Sequence, residues 1–295
     1  MKTRWIVGTR GSRLALKQTE LAIGALRNIY PDFYFPVKII KTTGDTEWDT
    51  PLNLIGSKGL FVKEIEEALL REEIDIAIHS MKDLPTELSR TLTVGAILER
   101  EDSRDVFISL TYGSINNIEK KAKIGTSSIR RKSQILCFNP NIEVVNLRGN
   151  VDTRIRKLTE QGLDAIILAY AGVKRMGFDE YIKEVLPFEI MVPPAGQGAI
   201  GIEIRDESEA LHMLKPINHE KSFLEVAVER KLQTAIGGGC QTPLGINAEV
   251  KGEKIDLHVV LCKDNGEFSI KDKFEGSVNF PDKLVAEALK AVLSK

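Results

Sequence analysis

The chain has 295 residues, too many for one hydrophobic core, so two or three domains are expected. Its 42% hydrophobic and 28% charged residues are ordinary for a soluble globular protein and leave no room for a disordered or fibrous reading. A formal net charge of −1 excludes a bulk field directed at nucleic acid or membrane, so any positive site must be a local cluster.

Trp5–Arg10 reads as a short buried strand. Ser12 is placed to cap the helix that follows, in which Leu21, Ala22, Ala25, Leu26 and Ile29 recur at helical spacing. Pro36–Thr42 is a second strand, Phe61–Glu73 an amphipathic helix, and Ile74–Ser80 a third strand, apolar enough to be central. This βαβαβ rhythm predicts an open, mostly parallel sheet. Lys121–Ser128, Glu143–Arg148 and Asp164–Ala171 repeat it, with helices after Ser128 and Asn150. A Pro/Gly break at Pro193–Gly198 precedes one more strand. From Glu220 the character changes to α+β: a long helix, three strands and a closing helix, with a boundary near residue 214.

In open parallel sheets, ligands bind beyond the carboxyl ends of strands, where loops meet helix N-termini. Arg10, Arg13, Lys82, Arg130, Arg131, Arg148, Arg154 and Arg156 fall at such junctions. Guanidinium forks bind carboxylate or phosphate bidentately, and Gly/Ser/Thr-rich helix starts add N–H donors, so the group suits a ligand with several anionic arms. Any one of these arginines also reads as a solvated helix residue. A phosphate-loop lysine motif is absent, and the arginines lack interleaved aromatics, which disfavours a nucleotide or single-stranded nucleic-acid site.

Asp83 follows the central strand beside Lys82 and reads either as a salt-bridge partner or as an acid that protonates or steadies a developing cation. His79 is expected to pack into the sheet. Cys240 ends a Gly-Gly-Gly run; a lone cysteine is ordinarily an inert buried residue, but the glycines favour an exposed nucleophile or covalent tether. Three widely spaced cysteines and scattered histidines suggest neither a disulfide framework nor a zinc site. With a polar N-terminus and no apolar run near ~20 residues, a cytoplasmic chain with neither membrane nor nucleic-acid partner is expected.

Nine stretches, in order, resemble the porphobilinogen deaminase family: TRGSRLAL, TTGD, GSKGLFVKEIEEAL, HSMKDLPTE, GTSSIRR, LRGNVDTRIRKL, DAIILAYAGVKR, PPAGQGAIGIE and GGGCQTPLG. The resemblance covers nearly the whole chain. It implies two α/β domains like periplasmic binding proteins around a cleft, plus a smaller α+β C-terminal domain. Residues 1–98 with 196–214 would form the first, 99–195 the second and 215–295 the third. It implies a transferase, a hydroxymethylbilane synthase, that condenses four porphobilinogen molecules head to tail, with loss of ammonia, and releases hydroxymethylbilane by hydrolysis. A dipyrromethane primer would be tied to Cys240 by a thioether and held by Ser80, Lys82, Asp83, Thr126, Ser128, Arg130, Arg131 and Arg148. Substrate carboxylates would meet Arg10, Ser12, Arg148, Arg154, Arg175 and Gln197. Asp83 would be catalytic, Phe61 would pack near the site, Glu47–Ser57 would act as a lid, and the protein would be a monomer. The residues alone leave two alternatives open: a two-domain small-anion binding protein, and a phosphoryl or nucleotidyl transferase.

Overall fold

The computed structural model of the chain describes residues 2–43, 62–206, 208–237, 242–263 and 267–294. It divides into two compact units, Met1–Glu101 with Ala199–Val226, and Asp102–Gly198 with Ala227–Lys295.

The first unit is built on a five-stranded sheet of β1 (Val7–Thr9), β2 (Val37–Ile39), β3 (Ile76–Ser80), β4 (Leu92–Ile97) and β10 (Ile200–Arg205), in the order β2-β1-β3-β10-β4. β1 runs parallel to β2 and β3, as the βαβ rhythm predicts. β10 is antiparallel to both β3 and β4. β4 therefore runs the same way as β1, β2 and β3, and the sheet is mostly parallel with β10 alone reversed. The crossover rule acts on consecutive strands, and β10 arrives from far along the chain, so its direction was not locally set. Helix α1 (Arg13–Ile29) buries Ala22, Ile23 and Leu26 against Val7, Ile76 and Ile202. Helix α2 (Lys63–Leu70) buries Ile65, Ala68 and Leu69 with Ile74 and Ala77.

The second unit repeats this plan with β5 (Asp105–Ser109), β6 (Lys123–Gly125), β7 (Glu143–Val145), β8 (Ala165–Ala169) and β9 (Ile182–Val185), in the order β7-β6-β8-β5-β9. Again four strands share one direction, and an inserted strand, β5, is antiparallel to its neighbours. Sequence reading had not marked β4, β5 or β9 as strands. Helices α3 (Ile129–Phe138) and α4 (Val151–Glu160) follow β6 and β7. The same unit carries a three-stranded antiparallel sheet of β11 (Leu244–Lys251), β12 (Lys254–Cys262) and β13 (Phe268–Ser277), backed by the closing helix Pro281–Leu293. Gly245 lies so close to Val192 that a Cβ there would stand 2.6 Å from its carbonyl oxygen, and Ile246 N–H donates to the Pro193 carbonyl at 2.8 Å. Glu220–Ile236 forms one long helix, α5. The architecture is two mixed α/β sheets and a small C-terminal sheet. Among the described residues no helix is long and apolar enough to cross a membrane.

Candidate functional site

In the first unit, Arg10 leaves the carboxyl end of β1 and Ser80 ends β3, so parallel neighbours bring the two loops side by side. Arg10, Ser12, Gln18, Ser80 and Asp83 line one open depression of about 400 Å³, floored by Ile78 and Val62. Ser12 caps α1, its Oγ accepting from Ala15 N–H at 3.2 Å. Gln18 Nε2 donates to Ser80 Oγ at 2.7 Å, which fixes the last residue of the strand. Asp83 N–H then closes a turn on the Ser80 carbonyl at 2.9 Å. The turn leaves the Asp83 side chain exposed and Lys82 half-buried. An exposed carboxylate on a turn braced at both ends meets an approaching cation or N–H at little reorganisation cost. His79 is buried with its Nε2 3.0 Å from Glu203 of β10, as its packed reading expected.

In the second unit, Thr126 and Ser128 form the entry to α3. Ser128 N–H donates to Thr126 Oγ1 at 3.2 Å, and Ser128 Oγ accepts from Arg131 N–H at 3.4 Å. Arg130 and Arg131 occupy the first turn and are both buried. Each is tied down twice. Arg130 donates to Asp105 Oδ2 at 2.7 Å and to the Val192 carbonyl at 2.8 Å. Arg131 donates to Asp105 Oδ1 at 2.7 Å and to the Ile167 carbonyl at 3.0 Å. Burial would raise the Asp105 pKa, but the two guanidiniums outweigh it and hold this carboxyl well below the usual carboxylate range.

Arg148 precedes Gly149, whose φ of +127° and close approach to Thr153 exclude other residues without strain. That turn aims the Gly149 carbonyl at Arg154 Nε, 2.7 Å away. Burial first, then repulsion from Arg131 and Arg148, lowers the Arg154 pKa to about 10. Arg131 and Arg148 thus lie close enough to repel Arg154, and Arg131 Nε is buried with no hydrogen-bond partner among the described residues. Such a cluster has the charge, the donors and the half-buried setting to hold carboxylates.

Gln197 and Arg175 are positioned otherwise than as simple ligand donors. Gln197 is buried, and its Nε2 donates to Asp105 Oδ1 at 2.9 Å and to the Ser103 carbonyl at 2.8 Å. Arg175 donates to the Gly198 carbonyl at 2.6 Å. Glu229 of α5, also buried, accepts from Gly196 N–H at 2.7 Å and Ala248 N–H at 2.8 Å. Asp105 and Glu229 were missed in the sequence. The signal for Asp105 was an acid heading the apolar run DVFIS; for Glu229, an acid on the apolar face of VAVERKL. Cys240, Phe61 and the stretch Glu47–Ser57 lie outside the described residues. Among the described residues no group of histidine, cysteine and acidic side chains is arranged to hold a metal.

Residues 5–213 match the family profile described as "Porphobilinogen deaminase, dipyromethane cofactor binding domain", and residues 223–293 match "Porphobilinogen deaminase, C-terminal domain". The porphobilinogen deaminase of Carboxydothermus hydrogenoformans is 45% identical over 296 residues, covering 100% of this chain and 95% of that protein. That of Syntrophomonas wolfei is 48% identical over 272 residues, covering 92% and 88%. Among solved structures, a methionine-binding lipoprotein of Bacillus subtilis aligns with a TM-score of 0.46 at 12% identity, over 75% of this chain and 94% of that one.

Proposed function

The chain belongs to the porphobilinogen deaminase family, and from that membership we propose how its own side chains carry the reaction. It is a transferase, a hydroxymethylbilane synthase of porphyrin biosynthesis, that joins four porphobilinogen molecules head to tail with loss of ammonia and works with a dipyrromethane cofactor.

The described residues fit such a cofactor. Every pyrrole ring carries an acetate and a propionate, so the bound chain becomes more anionic with each addition. The observation that carries the reading is the cluster of Arg131, Arg148 and Arg154, in which the first two repel the half-buried third and carboxylates relieve that repulsion. Arg148 and Arg154 bind carboxylates directly, with Thr126 and Ser128 as neutral donors at the helix start. Arg130, Arg131 and Gln197 act from their shared anchorage on Asp105. Arg175 contributes from beside the Gly198 carbonyl.

In the first unit, Arg10, Ser12 and Ser80, which line one depression with Asp83, orient the side arms of the ring lying over Asp83, and the neighbouring Lys82 assists them. Asp83 accepts the pyrrole N–H and assists departure of ammonia from the aminomethyl carbon. It then steadies the cationic azafulvenium that remains, and that methylene is where the next carbon–carbon bond forms. When bound, the dipyrromethane supplies the free α-carbon that begins the chain. Cys240 would hold it by a thioether. Residues 1–98 with 196–214, 99–195 and 215–295 are read as the three domains of a cytoplasmic monomer, with Glu47–Ser57 as lid and Phe61 packing near the substrate.

Intact-mass measurement of purified wild type and Cys240→Ser tests the assignment. Wild type is expected to carry a dipyrrole adduct that colours with Ehrlich's reagent, and the variant to lack it. Wild type that acquires no pyrrole from porphobilinogen and releases no bilane overturns the reading.

A further inference from the structure

Arg130 and Arg131 open helix α3 with two positive charges at the positive end of its dipole and no acidic residue in the first turn. That placement is unfavourable on its own. It is sustained by one residue from another element, Asp105 at the head of β5, which is fully buried and spends one oxygen on each guanidinium. Oδ1 also accepts from Gln197. With each arginine's second bond made to a main-chain carbonyl, both guanidinium planes are fixed at two points. Arg131 in turn belongs to the cluster that perturbs Arg154.

We infer that Asp105 is the positioning residue of this carboxylate site: it fixes the planes of Arg130 and Arg131 and the amide of Gln197, and it cancels one of their two charges, leaving a single net positive charge at the helix start. It touches no substrate. Its effect reaches substrate through Arg131, whose orientation decides whether a carboxylate meets a fork or a misaligned edge. The inference rests on reading the cluster as the seat of pyrrole carboxylates.

Asp105→Asn keeps the shape but sets an amide NH₂ against a guanidinium NH₂, so one arginine must turn away. In holoenzyme assayed well below its melting transition, the KM for porphobilinogen is expected to rise about tenfold, with kcat falling about threefold or less and enzyme-bound intermediates accumulating. A purely structural residue would lower the melting temperature and leave the KM of the folded fraction alone.

Should that variant fail to fold, Asp105→Asn combined with Arg130→Gln removes the cation that lost its counter-ion, and is compared with Arg130→Gln alone. The double variant is expected to bind porphobilinogen about threefold or more weakly than Arg130→Gln, because Arg131 is still unanchored. A KM for folded Asp105→Asn within about twofold of wild type, or a double variant equal to Arg130→Gln, overturns the assignment. The adduct mass and bilane release of wild type, run alongside, separate the two failures: absence of both sinks the enzymatic reading, whereas their presence with a normal variant KM sinks only Asp105.

Discussion

The two halves of the binding machinery solve opposite problems. The Ser80–Asp83 turn presents an exposed carboxylate on a backbone turn whose first residue is braced by Gln18. The α3 entry keeps its guanidiniums buried, each fixed at two points on a carboxylate and a main-chain oxygen. A group that must respond to charge appearing on a substrate gains from access to it. Groups that must hold many carboxylates in register gain from rigidity, and rigid burial of cations requires an internal anion. Chemistry and charge-binding are therefore expected to fail differently when mutated.

The largest effect is expected at the exposed turn. Asp83→Asn should reduce kcat by about 10²–10³-fold while leaving the melting temperature near wild type, because the side chain is exposed. Pre-steady-state assays with porphobilinogen check this; near-normal turnover would remove the contrast between the halves.

Arg154 sharpens the comparison from the other side. Its folded-state pKa of about 10 lies below the ordinary arginine value, so the folded chain holds that proton more weakly than the unfolded chain does. The charged side chain thus opposes folding at neutral pH; the opposition begins to fade only above about pH 10 and is lost as pH approaches the ordinary arginine value. Arg154→Gln is expected to stabilise the ligand-free protein by about 1–2 kcal/mol at pH 7 while weakening porphobilinogen binding about tenfold. Denaturant titrations at pH 7 and at about pH 11 would show the gain shrinking toward the higher pH. A destabilised variant would mean the cluster carries no stored repulsion.

The smallest expected effect is at Ser12, where capping of α1 and substrate contact compete as explanations. Ser12→Ala should lose about 1 kcal/mol of stability, the ordinary worth of an N-cap. A KM unchanged by this substitution would leave Ser12 a cap and nothing more.

The legible features were those set within a few residues. Ser12 and Ser128 as caps, the helix phases after them, and the strand-end position of Arg10, Asp83, Thr126 and Arg148 all follow from local pattern. His79 was expected inside the sheet and is buried there beside Glu203. Less legible were the strands inserted from a distance, β5 and β10, whose antiparallel direction no neighbouring crossover dictates. The division of labour among the arginines was hidden with them, since Arg130 and Arg131 look like Arg148 and Arg154 in the sequence.

By itself the sequence determined the kinds of chemistry available: a cation-rich set of strand ends, one acid on a turn, one thiol after three glycines, and membership in a family. Only the tertiary structure decided which cations are anchored and by what. Asp105 lies 25 and 26 residues from Arg130 and Arg131, far beyond the reach of helical or strand periodicity. It meets them because β5 enters the sheet antiparallel beside β8, close to the start of α3. Local propensities act along a few bonds, whereas burial selects an ion's partner from whatever the packed elements bring within hydrogen-bonding distance.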